Sequence, residues 1–285
     1  MVKLQRVLFP VDFSPPCVVA APWVKSLVTQ SGSQLTLIHS IVVPPTWRFA
    51  SSDRVYAQVR KELRQKSDLS MRRFIDRHFK SVAVQHVIEE GDPAQHIVDR
   101  ARKDHADLIM MPTRGYGPFR RFLTGSVTAK VLHDAPCAVW TSTHATKSQA
   151  GNTRNMLCAI DLGEGTSTLM RWASDLASKW GANLAFVYVN PAINETSQNR
   201  GEKAVRKYLI GEAQETFARH TKEVGLSLPL LIRGGDVAKR LAATVRQRKA
   251  DLLVVGRGHV RKRLGRLRAH SLAIVCESSC PVISV

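Results

Sequence analysis

Short apolar runs alternate with longer stretches of mixed polarity along this chain, and each run is bounded by a glycine, a proline or a polar turn. Val7 to Val11 is too short for a helix and predicts a buried strand. The stretch SPPCVVAAPWVKSLVTQSG follows, with Ser14 as N-cap, Pro15 at the first helical position and Gly32 as the stop. Pro22 is expected to interrupt or bend that helix. QLTLIHSIVV reads as a second strand, residues near 55 to 79 as a long basic helix, and VAVQHVI as a third strand. Gly91-Asp92-Pro93 turns the chain into another helix, with Asp as cap and Pro at its first position. DLIMM is the fourth strand, 126 to 133 a helix, and CAVWT the last strand.

The pattern is written twice. RVLFPVDFS resembles NMLCAIDLG, EEGDPAQHIVDRARKDHADLIMMPTRG runs parallel to IRGGDVAKRLAATVRQRKADLLVVGRG, and DAPCAVWTS is echoed by SSCPVISV. Between the two lies a polar, aperiodic stretch, STHATKSQAGNTRN, which reads as a linker. The expected domains are therefore residues 1–146 and 155–285. Apolar strands alternating with helices predict an α/β chain of two tandem doubly wound domains. Each would hold a five-stranded, mainly parallel sheet with helices on both faces. Ligands of such sheets sit outside the carboxyl ends of the strands, where the strand order reverses, so the ends of strands one and four are the places to look.

Composition narrows the function classes. The 285 residues suit two domains, and no apolar run approaches the ~20 residues of a membrane span. The N-terminus does not read as a signal peptide, so a cytoplasmic protein without a membrane partner is expected. Five scattered cysteines without a C-x-x-C pair argue against a disulfide scaffold and against zinc. The net charge of +19 favours polyanions, nucleic acid among them. Six of the twelve residues from Arg257 to Arg268 are Arg or Lys, a solvated surface or a polyanion contact. No aromatic residue is interleaved there to stack single-stranded bases.

Two strand ends carry candidate chemistry. Asp12, matched by Asp161 in the second copy, is either a turn residue or an acceptor for ribose hydroxyls or an adenine amine. After strand four, Gly125-Ser126 precedes a helix, where backbone N–H groups and the positive dipole end could meet an anion. Ser126 could cap the helix, contact a phosphate, or both. Arg114, Arg120 and Arg121 add positive charge nearby. No P-loop is present, and no G-x-G-x-x-G follows strand one, so generic motifs leave a loop and a phosphate cradle equally open.

From end to end, the sequence resembles a tandem universal stress protein, on the strength of VLFPVDFS, GDPAQHIVDRARKDHADLIMM and TRGYGPFRRFLTGSVTAKVLHDAPCAV. Nucleotide-binding members of that family carry G-x-x-G, nine residues, then G-[ST]. The first copy has Pro112-Thr113-Arg114-Gly115, nine residues, then Gly125-Ser126, with Pro112 in place of the first glycine. The resemblance implies an adenine nucleotide alpha hydrolase-like fold that binds ATP, with or without Mg, or a related adenine nucleotide. It places Pro10, Val11 and Asp12 by adenine and ribose, and Ser40 and Ile41 by the base. Arg114 and Gly115 would approach ribose and phosphates, and Gly125, Ser126, Val127 and Thr128 would hold the phosphates. In the second copy Gly256 keeps the first glycine, but His259 replaces the second and Ala269-His270 replaces Gly-Ser, so that cradle is expected not to bind ATP in the usual way.

The implied function is a stress-response sensor or regulator rather than a fast enzyme. Slow ATP hydrolysis is left open, and no catalytic or metal-binding residue is assigned. Two alternatives stand beside it: a non-nucleotide scaffold acting through a protein partner, and a basic nucleic-acid-associated protein. The resemblance also suggests that the terminal strands of the two copies pair within the chain, with Val139 and Val282 near that junction, and leaves a homo-oligomer open.

Overall fold

The computed structural model describes residues 2–43, 53–113, 125–142, 150–151, 153–257 and 266–285, with backbone alone for 266–271. The chain forms two compact units, one built mainly from each repeat. The first runs β1 (Arg6–Pro10), α1 (Pro15–Ser31), β2 (Gln34–Ile41), α2 (Asp53–His78), β3 (Val84–Glu90), α3 (Pro93–Lys103), β4 (Leu108–Pro112), α4 (Ser126–Asp134) and β5 (Ala138–Ser142). Its strands lie in the order β3-β2-β1-β4-β5, and β1 pairs in parallel with both β2 and β4. The order reverses between β1 and β4, which puts the crevice of the sheet at their carboxyl ends.

The second repeat follows the same plan: β6 (Asn155–Ile160), α5 (Thr166–Trp180), β7 (Asn183–Asn190), α6 (Arg200–Val224), β8 (Leu230–Gly234), α7 (Val237–Arg248), β9 (Leu252–Val255), α8 (Arg266–Glu277) and β10 (Val282–Ser284). The order is β8-β7-β6-β9-β10, again parallel at each registered pair. Its crevice lies between β6 and β9.

Burial explains the unbroken apolar strands. Val7, Leu8 and Phe9 of β1 and Leu108, Ile109 and Met110 of β4 are all buried, as a central parallel strand covered on both faces requires. Phe9, Phe74 and Phe79 pack ring to ring beneath α2, with centroids 6.2 to 6.3 Å apart. In the second repeat Phe186 of β7 packs on Phe217 of α6, with ring centroids 5.6 Å apart.

Pro22 does not end α1, contrary to the expectation drawn from its ring and missing N–H. Cys17, Ala20, Ala21, Trp23, Val24, Leu27 and Val28 of that helix are buried, and this packing holds it through the proline. Pro15 opens the helix and Gly32, at φ +65°, closes it in the left-handed region that glycine tolerates best. β2 stops at Ile41 rather than Val43, and Val42 is exposed. β3 lies two residues further along than its apolar run suggests, at Val84–Glu90.

One aspartate in each repeat clips the start of the first strand. Asp107 Oδ2 accepts the N–H groups of Gln5 and Arg6 at 2.7 and 2.9 Å, and Asp251 Oδ2 accepts those of Arg154 and Asn155 at 2.9 Å each. The shared Ala-Asp-Leu before β4 and β9 therefore belongs to strand registration, at the end of the sheet away from the crevice.

Candidate functional site

At the end of β1 the chain makes a tight turn governed by Asp12. Its Oδ1 accepts the Ser14 N–H at 3.0 Å, and Phe13 between them is left-handed, at φ +61°. A bulky residue in that region is strained, and the aspartate bond and packing hold it there. The Phe13 ring lies 4.7 Å from the His39 ring and 5.9 Å from that of Phe74. The second repeat has the same turn: Asp161 Oδ1 accepts the Gly163 N–H at 3.0 Å, and Leu162 has φ +60°.

A second donor fixes each carboxylate. The Cys17 Sγ–H donates to Asp12 Oδ1 at 3.0 Å, and the Thr166 hydroxyl donates to Asp161 Oδ1 at 3.3 Å. Burial, reinforced by the neighbouring Asp12 charge, pushes the Cys17 thiol far above the ordinary range, so it remains a protonated donor. These bonds converge on Oδ1 of Asp12, and no described residue bonds its Oδ2.

Pro10 and Val11 are buried, and their backbone groups are largely engaged internally. Val11 donates its N–H to the Ile38 carbonyl at 2.8 Å, and its own carbonyl accepts from His39 Nδ1 at 2.7 Å, which assigns the proton to Nδ1. Ser40 shares a hydrogen bond with His96 Nδ1 at 3.1 Å, and Glu89 Oε2 lies 3.7 Å from the same nitrogen. Ile41 is buried, and its carbonyl accepts the Gly91 N–H at 3.0 Å. Asp92 caps α3 through Ala94 and Gln95, as its spacing predicts, and pairs with Lys130 of α4 at 2.7 Å.

The start of α4 is joined to β4 by two bonds. Gly125 donates its N–H to the Thr113 carbonyl at 2.9 Å, and the Thr128 hydroxyl lies 3.3 Å from that oxygen and 3.4 Å from the Pro112 carbonyl. Thr128 is buried, so its hydroxyl serves this junction. Gly125 is the N-cap and Ser126 the first helical residue, so Ser126 does not cap the helix. The helical ladder begins with Ala129 donating to the Gly125 carbonyl. The N–H groups of Ser126, Val127 and Thr128 therefore have no acceptor among the described residues.

Gly125 itself is extended, at φ −63° and ψ 146°. A Cβ built there would meet the Thr113 carbonyl at 3.5 Å, an ordinary contact. Among the described residues nothing crowds this position, and without a Cβ the N–H groups stay open to an anion. That arrangement fits a phosphate group. Arg114, Gly115, Arg120 and Arg121 lie outside the described residues.

The second repeat differs at this point. Its helix α8 begins at Arg266, so Ala269 and His270 fall inside the helix rather than at its start. Amides at those positions belong to the helical ladder and are not presented at a helix end. His259 and most of the basic segment 257–268 lie outside the described residues. Among the described residues no helix is long and apolar enough to cross a membrane, and no group of His, Cys, Asp and Glu is arranged to hold a metal ion.

Cys17 and His96 were not among the residues singled out from sequence. For Cys17 a signal was available, because Cys17 and Thr166 stand at the same distance after Asp12 and Asp161, and each can donate a hydrogen bond. His96 has no such signal, since its second-repeat counterpart is Arg240 and the meeting with Ser40 depends on β2 and β3 lying side by side.

Comparison with known proteins agrees with the fold. The sequence model of the Universal stress protein family matches residues 3–142 and 152–285. A universal stress protein of Methanothermobacter thermautotrophicus is 32% identical over 112 residues, 38% of this chain and 76% of that protein. Another, from Methanocaldococcus jannaschii, is 27% identical over 137 residues, 47% of this chain and 79% of that protein. The crystal structure of a universal stress protein from Archaeoglobus fulgidus superposes with a TM-score of 0.70 at 18% identity, covering 100% of this chain and 97% of that one, a likeness of fold.

Proposed function

The chain belongs to the universal stress protein family, and from that premise we propose that its first repeat binds ATP or a related adenine nucleotide and acts as a sensor or regulator. The observation that carries this reading is the start of α4, where three N–H groups without an acceptor among the described residues follow a glycine that no described residue crowds. Phosphate oxygens would take the amides of Ser126, Val127 and Thr128, in the positive field of the helix end. Asp12, oriented by Ser14 and Cys17, would offer Oδ2 to the ribose hydroxyls. Pro10, Val11, Ser40 and Ile41 would shape the wall beside the base. Arg114 and Gly115 keep the ribose and phosphate roles that the motif assigns them. No residue is assigned to Mg.

Calorimetric titration of the full chain tests the proposal. The expected result is about one ATP per chain with adenosine bound more weakly, because charge-assisted phosphate contacts contribute roughly 1.5–3 kcal/mol each. Gly125→Val should abolish ATP binding while leaving the circular dichroism spectrum unchanged. Two equal ATP sites, or unaltered binding by Gly125→Val, would overturn the assignment.

A further inference from the structure

In the second repeat, the edge strand β8 and helix α7 enclose an open cleft of about 350 Å³, lined by Glu195, Arg233, Arg240, Ala243, Thr244 and Gln247. Four of these recur at helical spacing, from Arg240 to Gln247, and so share one face of α7. Arg233 comes from β8 and Glu195 from the segment after β7. The volume is at the small end of the range of ligand sites.

The donors here already hold one carboxylate. Glu195 Oε1 accepts the Gly234 N–H at 2.7 Å, and Oε2 lies 3.4 Å from Arg240 Nη2. Arg206 donates to the Glu195 carbonyl at 2.9 Å, which anchors the loop. Arg233 gives one N–H to the Ile232 carbonyl at 3.0 Å and has no acidic partner among the described residues. Two guanidinium groups therefore face a single acid across the cleft, and the balance is positive. A guanidinium carries five N–H donors, so both arginines retain capacity for an incoming anion.

The first repeat has the opposite charge at the same place. Arg240 follows Gly235 as His96 follows Gly91, and each packs on its glycine, at 3.2 and 3.1 Å from a Cβ built there. Arg233 pairs with Val189 of β7 as Glu89 pairs with Ser40 of β2. The acid and histidine of one repeat thus correspond to two arginines in the other.

We propose that this cleft is an anion site of the second repeat, taking a small organic dianion with carboxylate or phosphate groups between Arg233 and Arg240. The Glu195 carboxylate occupies part of the donor set and competes with the ligand. The ligand's second charge meets Arg233.

The test is titration of the full chain with succinate, with inorganic phosphate and with neutral succinamide, followed by nuclear magnetic resonance. Saturable binding of either dianion is expected, and it should persist in Gly125→Val, which removes the phosphate cradle proposed for the first repeat. Succinate alone would mark a carboxylate ligand and phosphate alone a phosphate ligand. Arg233→Ala should weaken binding about tenfold, as for the loss of one charge-assisted contact. Glu195→Gln should tighten it severalfold, and rising salt should weaken it. If Arg233→Ala perturbs the fold, Gln247→Glu at an exposed position decides, and should also weaken binding. Absence of saturation by both dianions, equal binding of succinamide, or unchanged affinity in the deciding variant would overturn the proposal.

Discussion

The two repeats agree at the end of their first strands and part at the end of their fourth. Asp12 and Asp161 stand in the same turn, each followed by a bulky left-handed residue and each held by a donor five residues on. At the other wall of the crevice, α4 starts after Gly125 with amides that have no acceptor among the described residues, whereas α8 already contains Ala269. The turn is also a folding device, because it joins strand to helix whether or not a ligand is present. The helix start is different: no described residue crowds Gly125. The two repeats therefore share the turn and differ at the helix start.

The largest expected effect separates a glycine that neighbouring backbone crowds from one that no described residue crowds. A Cβ on Gly234 would lie 2.0 Å from the Ile193 carbonyl, so Gly234→Ala must displace backbone. It should destabilise the second repeat by about 2–3 kcal/mol, the cost of overpacking. Gly125→Ala, in ordinary contact, should cost less than about 1 kcal/mol, within the range of N-cap exchanges. Hydrogen exchange followed repeat by repeat would check both, and equal costs would break the contrast.

A smaller effect tests the shared turn. Cys17→Val removes a donor to Asp12 and should weaken ATP binding by roughly 0.5–1.5 kcal/mol, the net value of one hydrogen bond. Cys17→Ser should restore it, and 2′,3′-dideoxy-ATP should be indifferent to both. Thr166→Val, the same change in the second repeat, should leave ATP affinity as it was. Calorimetry gives all five changes, and equal losses for ATP and its dideoxy analogue would detach Cys17 from the ribose.

The smallest effect concerns the tie between α3 and α4. The Lys130 ammonium, and after it the Ala94 N–H, holds the Asp92 carboxyl below the usual carboxylate range. A lowered folded pKa gives a contribution fully present above the unfolded value, lost as pH falls through the folded one. Both side chains are about half exposed, so solvent screening keeps the effect small. Lys130→Met should slightly lower the stability of the first repeat at neutral pH, and the difference from wild type should vanish in strong acid. A difference that grew on acidification would contradict the pairing.

Much was legible in the amino-acid sequence because it depends on local chemistry. Short apolar runs specify buried parallel strands, Pro15 and Gly32 bracket α1, Asp92 caps α3, and the duplicated order of landmarks specifies two similar units. Asp12 and Gly125-Ser126 could be named from the ends of strands one and four. Other features required tertiary structure, since they join segments far apart in the chain. Packing decided that α1 runs through Pro22, because its buried face outweighs one missing N–H. The junction from Thr128 to the ends of Pro112 and Thr113 decided that this hydroxyl serves the scaffold. The pairing of Ser40 with His96, and the meeting of Arg233, Arg240 and Glu195, likewise depend on which strands and helices become neighbours. A hydrophobic pattern specifies which face of an element is buried; where two side chains meet depends on the register and packing of elements that the local pattern does not connect.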